Sequence, residues 1–186
     1  SGNARQGLTL PDMSAANSIT VRRGPTFRIE DNMWGNANGY VANRLGTEGD
    51  RPALRLAGGN FYVNGPGAAV ETTQTVGLVS LESGSSSITV IRNNSSATPK
   101  LFLTGLTCAP GATINFVGTS LGTAATKASQ IFINPEPALQ SGLIGGYARV
   151  GNDWATYGAY GVRALPSYSG TIQGAGAADN VRVTAA

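Results

Sequence analysis

Hydrophobic positions along this chain recur with the period of a strand, not of a helix. A cassette of apolar, variable, apolar residues returns nine times. The cassettes are Ile19-Thr20-Val21, Phe27-Arg28-Ile29, Leu54-Arg55-Leu56, Phe61-Tyr62-Val63, Val79-Ser80-Leu81, Ile88-Thr89-Val90, Leu101-Phe102-Leu103, Ile114-Asn115-Phe116 and Ile131-Phe132-Ile133. Outer positions are aliphatic or Phe throughout, whereas the middle ones include Thr, Arg, Ser, Asn, Tyr and Phe. Such alternation sends one set of side chains to a core and the other toward water. Turn signals close the strands: Arg23-Gly24-Pro25, Ala57-Gly58-Gly59-Asn60, Gly65-Pro66-Gly67, Glu82-Ser83-Gly84 and Ala109-Pro110-Gly111. The pattern predicts an all-β chain.

The first eight cassettes group in pairs, 19–21 with 27–29, 54–56 with 61–63, 79–81 with 88–90 and 101–103 with 114–116. Successive pairs start about 35, 25 and 22 residues apart, a loose period in the range of repeat architectures. A stack of coils satisfies it, since strands pairing with the coils above and below would merge their inward residues into one apolar column. The expected architecture is therefore a parallel β-helix, a solenoid forming a single domain over 1–186. Residues 30–51 read as a loop insertion and 142–186 as a closing segment rich in glycine and aromatics. A β-sandwich is the competing architecture, because many short strands with regular turns describe it as well. The scarcity of Asn-Gly and Asp-Gly turns, which two-residue hairpins favour, tilts the reading toward coils.

Composition narrows the chemistry. Charged residues make up 12% of the 186 positions, with 26 glycines, 9 prolines and 41% hydrophobic residues. A disordered tail needs less apolar and more charged content, and no apolar run approaches the about 18 residues of a membrane span. With no histidine, imidazole is excluded as base, nucleophile partner or metal ligand. One cysteine, Cys108, permits neither an internal disulfide nor a zinc cage, so it reads as a small buried hydrophobe or an intermolecular bridge. The net charge of +3 comes from scattered arginines, with only Arg22-Arg23 adjacent, which argues against a nucleic-acid partner. The chain opens on Ser1 and so reads as a processed product or an excised fragment.

Several segments in combination resemble the autotransporter-associated β-strand repeat of large secreted and surface-attached bacterial proteins. Those segments are Leu45-Gly46, then Leu54-Arg55-Leu56-Ala57-Gly58-Gly59-Asn60-Phe61-Tyr62-Val63-Asn64-Gly65, then Val76-Gly77 with Gly84 and Ile88-Thr89-Val90. Ile114-Asn115-Phe116 and Leu121-Gly122 follow. The most specific part is Gly142-Leu143-Ile144-Gly145-Gly146-Tyr147-Ala148-Arg149-Val150, running into Asp153-Trp154-Ala155-Thr156-Tyr157, Gly161-Val162-Arg163-Ala164-Leu165, Tyr168 and Asp179-Asn180-Val181-Arg182-Val183. The resemblance covers about three quarters of the chain. It implies a right-handed β-helical stalk without cofactor or catalytic set, secreted or held at the cell surface. Family chains usually continue through many more repeats, and autotransporters end in a membrane barrel, so that secretion route is not implied for a chain stopping at Val183-Thr184-Ala185-Ala186.

Carboxylates are the remaining acid–base candidates. The closest pairs, Glu30-Asp31 and Glu48-Asp50, fall in expected loops with no matching acid on a cassette, where turn chemistry explains them. A polysaccharide-degrading enzyme needs two carboxyls about 5–10 Å apart across a sugar bond, and is the weakest of three functional readings. The second is a carbohydrate-binding or adhesive module of a longer surface protein, with Trp34, Trp154, Tyr157, Tyr160 and Tyr168 stacking on glycans. Against it, these rings can simply pack over the last coil. Tyr62, Phe102 and Phe132 at middle positions suggest an outward apolar strip. Asn93-Asn94-Ser95-Ser96 contains overlapping glycosylation sequons that read as a loop in a bacterial protein. The glycines of Gly65-Pro66-Gly67 and Gly174-Ala175-Gly176 lack phosphate-loop spacing and belong to turns.

The leading expectation is structural. A β-helix exposes unpaired backbone groups at both ends unless something covers them, and no amphipathic helix stands at either terminus. The terminal segments around Leu8 and Leu10, and around Val181 and Val183, read as strands that meet a neighbouring copy head to tail or a neighbouring repeat of a longer chain. The result is an extracellular filament, stalk or matrix fibre with no catalytic residues, no cofactor and no metal.

Overall fold

A computed structural model describes residues 18–31, 41–46 and 51–183. Fourteen β-strands and no helix are found among them. They are β1 (Ser18–Arg22), β2 (Thr26–Glu30), β3 (Ala53–Ala57), β4 (Asn60–Asn64), β5 (Glu71–Val76), β6 (Val79–Ser83), β7 (Ser85–Ile91), β8 (Thr98–Leu103), β9 (Leu106–Cys108), β10 (Thr113–Gly118), β11 (Gln130–Ile133), β12 (Ala148–Val150), β13 (Asp153–Gly158) and β14 (Gly161–Ala164). Three sheets result, ordered β1-β3-β6-β9, β2-β4-β7-β10-β12-β13-β14 and β5-β8-β11.

Every ladder from β1 to β12 is parallel, and only the two that join β12, β13 and β14 are antiparallel. A sandwich of hairpin-linked strands would show the reverse, so that alternative does not describe this chain. From β3 to β11 the chain visits the first, second and third sheets in rotation, and each strand except β5 pairs with the one laid down on the previous visit.

All nine cassettes lie on strands with their outer residues turned inward. Register aligns Phe27, Phe61, Ile88 and Phe116 in one row of the second sheet and Ile29, Val63 and Val90 in the next. Leu54, Val79 and Leu106 align in the first sheet, and Leu103 with Ile133 in the third. Phe61, Ile88, Phe116, Leu103 and Leu56 are fully buried. Each such side chain contributes about 1.5–3 kcal/mol by leaving water. The rings of Phe27 and Phe61 stack inside at 5.9 Å.

The fourth cassette pair is corrected. Leu101–Leu103 and Ile114–Phe116 lie in different sheets and on successive visits: β8 belongs to the third sheet, next to β5 and β11. The strand that precedes β10 in the first sheet is β9, whose Leu106-Thr107-Cys108 carries only one strongly apolar side chain. β5 also escapes the pattern, because its inward positions are Thr72, Gln74 and Val76.

The register gives a direct test. Tyr62 and Thr89 are partners on adjacent parallel strands with partly exposed side chains. Neighbouring strands lie about 4.8 Å apart, within the Cα separation a disulfide tolerates. In a background with Cys108 replaced by Ser, the pair Tyr62→Cys and Thr89→Cys is expected to oxidise to an intramolecular disulfide, whereas Tyr62→Cys with Ile91→Cys, one pair out of register, stays reduced. Equal bridging of both pairs, read by mass spectrometry, would refute the register.

Candidate functional site

The sequence-predicted aromatics converge on β13 and its surroundings but do not form one platform. Trp154 and Tyr157 are three positions apart on a strand, and odd spacing sends side chains to opposite faces. Trp154 points outward, 37% exposed, with the Arg149 guanidinium 5.9 Å from its ring centre. Its backbone N–H donates to the Tyr168 hydroxyl at 2.9 Å. Tyr168 lies under Arg182, which also pairs with Asp153 at 2.8 Å. Tyr157 instead packs against the core, its hydroxyl accepting from the Ile133 N–H at 3.0 Å and donating to the Ile133 carbonyl at 3.2 Å. Burial pushes its phenol up, so the hydroxyl stays protonated and able to donate. Tyr160 stands exposed in the turn between β13 and β14.

Val181 forms an isolated parallel bridge with Ser169, and Val183 is 66% exposed beside Thr171 and Ile172. Both lie outside the three sheets. Leu8, Leu10, Trp34, Glu48 and Asp50 fall outside the described residues.

The acidic pair Glu30-Asp31 is split by the strand end. Glu30 faces water, paired with Arg28 at 2.8 Å and bonded by the Asn64 amide. Asp31 turns inward, 2% exposed. Its carboxylate accepts from Arg44 Nε at 3.0 Å and from Gln74 Nε2 at 3.0 Å on both oxygens. Gln74 also donates to the Val41 carbonyl at 2.8 Å and accepts the Arg44 backbone N–H at 2.9 Å. Thr75 donates to Asn43 Oδ1 at 2.8 Å. This network pins residues 41–46 along β5, where no strand precedes it in the third sheet among the described residues. Burial pushes the Asp31 carboxyl up, with the Arg44 and Gln74 hydrogen bonds opposing. One carboxyl facing inward and the other outward cannot flank a common sugar bond.

Sequence reasoning missed this network, and also a polar ladder at the end of the second sheet. There Glu30, Asn64 and Asn93 bond in succession, Asn93 donating to Asn64 Oδ1 at 2.8 Å and to the Gly65 carbonyl at 2.6 Å. The sequon amides are thereby engaged: Asn94 donates to the Gly67 carbonyl at 3.2 Å and accepts the Ser96 N–H at 2.8 Å. The available signal was Asn64 and Asn93 each following a cassette by a few residues.

Cys108 is a free, half-buried thiol directed at the Ala109 and Ala112 carbonyls, each at 3.4 Å, and burial pushes its pKa up. Tyr62 belongs to the second sheet, beneath the Arg28 guanidinium at 4.9 Å, while Phe102 and Phe132 stack at 4.9 Å on the third. They therefore do not form a single strip. Among the described residues, no cluster of three metal-ligating side chains occurs and no helix is long and apolar enough to cross a membrane. No family model, curated protein or solved structure matches the chain.

Proposed function

We propose that this chain is a structural rod: a right-handed parallel β-helix that assembles end to end into a filament, stalk or matrix fibre on or outside a bacterial cell. The observation that carries the reading is a common step. Ser80 bonds Thr107 in the first sheet, Asn60 bonds Ser87 in the second, and Gly67 bonds Asn94 in the turn leading to the third, each pair 27 residues apart. Across these pairings all three sheets advance by one shared step, while other ladders advance by 25 residues (Leu54 to Val79) to 35 (Ser18 to Ala53), as stacked coils with connecting loops of unequal length would. The right hand follows from the preference of parallel crossover connections within one sheet.

A rod needs side chains that stack inward and remain soluble outward, and the buried Leu, Ile, Val and Phe rows beside outward Thr, Ser, Asn and Arg supply both. Placement outside a bacterial cell rests on the resemblance to autotransporter-associated repeats. Glycan adhesion is the second reading, favoured by the exposed Trp154 and Tyr160 rings. Electron microscopy of purified protein over a concentration series tests the assembly. Filaments with an axial repeat near 4.8 Å, the spacing of paired strands, are expected. Discrete particles of one chain at every concentration, with the β12–β14 hairpin in place and with it displaced by substitution, would overturn end-to-end assembly.

A further inference from the structure

An edge strand with free N–H and C=O groups is a template for another chain, so a stack of parallel strands needs a boundary wherever growth is to stop. At the β11 end such a boundary is built. After β12, the last parallel strand of the second sheet, the chain reverses twice, so the sheet ends on the antiparallel β14. β14 also lies across β11. The Asn134 N–H bonds the Leu103 carbonyl at 2.9 Å, toward β8. Backbone groups alternate sides along a parallel strand, so Ile131 and Ile133 turn theirs away from β8.

Both outward-facing residues are occupied by the hairpin. Gly161, at φ +86°, lies so close to the Ile131 carbonyl that a Cβ there would collide with it. The Tyr157 hydroxyl takes both the N–H and the C=O of Ile133. A single phenol thus fills the donor and the acceptor that an added strand would use. From the other side, Gly122 approaches the Val162 carbonyl with equally little room for a side chain.

We propose that the β12–β14 hairpin is an autoinhibitory cap: it occupies the edge of β11 on which a coil from a second copy would stack, and growth at this end requires its release. The cap rests on the β-helix reading and adds its regulation. It also corrects the expectation of an uncovered last coil, at this end of the described residues.

The test compares the full chain with Tyr157→Phe and Gly161→Val by light scattering and electron microscopy, with hydrogen exchange on each. Tyr157→Phe removes both bonds to Ile133 and is expected to lower the concentration at which higher-mass species form by roughly tenfold, the scale of about one lost hydrogen-bonded contact. Gly161→Val, which drives β14 off β11, is expected to lower it further. Leu101 and Leu103 amides should stay protected in both, showing that the core persists. If Gly161→Val loses that protection, Tyr157→Phe decides alone. Faster exchange at Ile133 without any change in assembly would overturn the cap, as would filaments of the parent chain in which Ile133 exchanges no differently from the monomer. The Tyr62/Thr89 disulfide separates these outcomes from failure of the β-helix reading, because it reports coil stacking whether or not copies associate.

Discussion

Phe61→Ala is expected to lower the free energy of unfolding by about 3–5 kcal/mol, the range for deleting a fully buried aromatic side chain. Phe61 is 0% exposed and aligned between Phe27 and Ile88 on adjacent strands, with the Phe27 ring stacked at 5.9 Å. Ladder hydrogen bonds on both sides of β4 hold the neighbouring strands at fixed spacing, so the cavity cannot collapse readily. Against a typical total stability of about 5–15 kcal/mol, the loss is large. Tyr62→Ala, one residue on, supplies the control. Its ring points outward beneath Arg28, and the change is expected to cost about 1 kcal/mol or less. Urea unfolding of both variants measures the difference. Equal losses would mean that inward and outward faces are not distinguished, and the alternation would not define a core.

That contrast between adjacent residues shows how far the sequence could be read. Period-2 alternation is a local property, and wherever the inward residues are Ile, Leu, Val or Phe it marked the strand and its buried face together. β5 and β9 were missed because the same geometry there carries Thr72, Gln74 and Cys108 inward or half-inward, and a polar inward residue breaks the pattern. Missing β9 made Leu101–Leu103 look like a member of the first sheet. The hairpin was partly legible, since its glycines and aromatics stand out, but Trp154 and Tyr157 were grouped as one ligand surface. Strand parity separates them, and only the packing on β11 gives Tyr157 its backbone partner.

Polar contacts between distant segments lay beyond any local signal. Arg44 is 13 residues from Asp31 and Gln74 is 43, and nothing in their spacing implies that all three meet. Gln74 occupies the row that holds Leu101 and Ile131 on the following strands. An amide in that apolar row is tolerable because each of its hydrogen-bonding directions is met by Asp31, Val41 or Arg44. Among the described residues the polar row is confined to the first strand of the third sheet, beside which the turn of 41–46 lies.

Asp31 therefore carries the second large effect. Asp31→Ala is expected to cost about 2 kcal/mol at neutral pH, because Gln74 Nε2 keeps only the Val41 carbonyl and Arg44 loses its counter-charge. The Arg44 side chain retains 21% exposure, so water replaces part of what is lost and the cost stays below that of a fully enclosed pair. The pH dependence has a definite sign. Burial pushes the Asp31 carboxyl above its ordinary range, so the folded chain binds this proton more tightly than the unfolded chain does. Its contribution is then fully present below the unfolded carboxyl pKa and is lost as pH rises through the elevated folded value. Measured by urea unfolding across the acidic to neutral range, the stability of the parent relative to Asp31→Asn, which cannot titrate, is expected to fall with rising pH and then level off. A difference that instead grows with pH would mean that the Arg44 guanidinium and the Gln74 amide outweigh burial, and that the network holds Asp31 as a strongly favoured carboxylate.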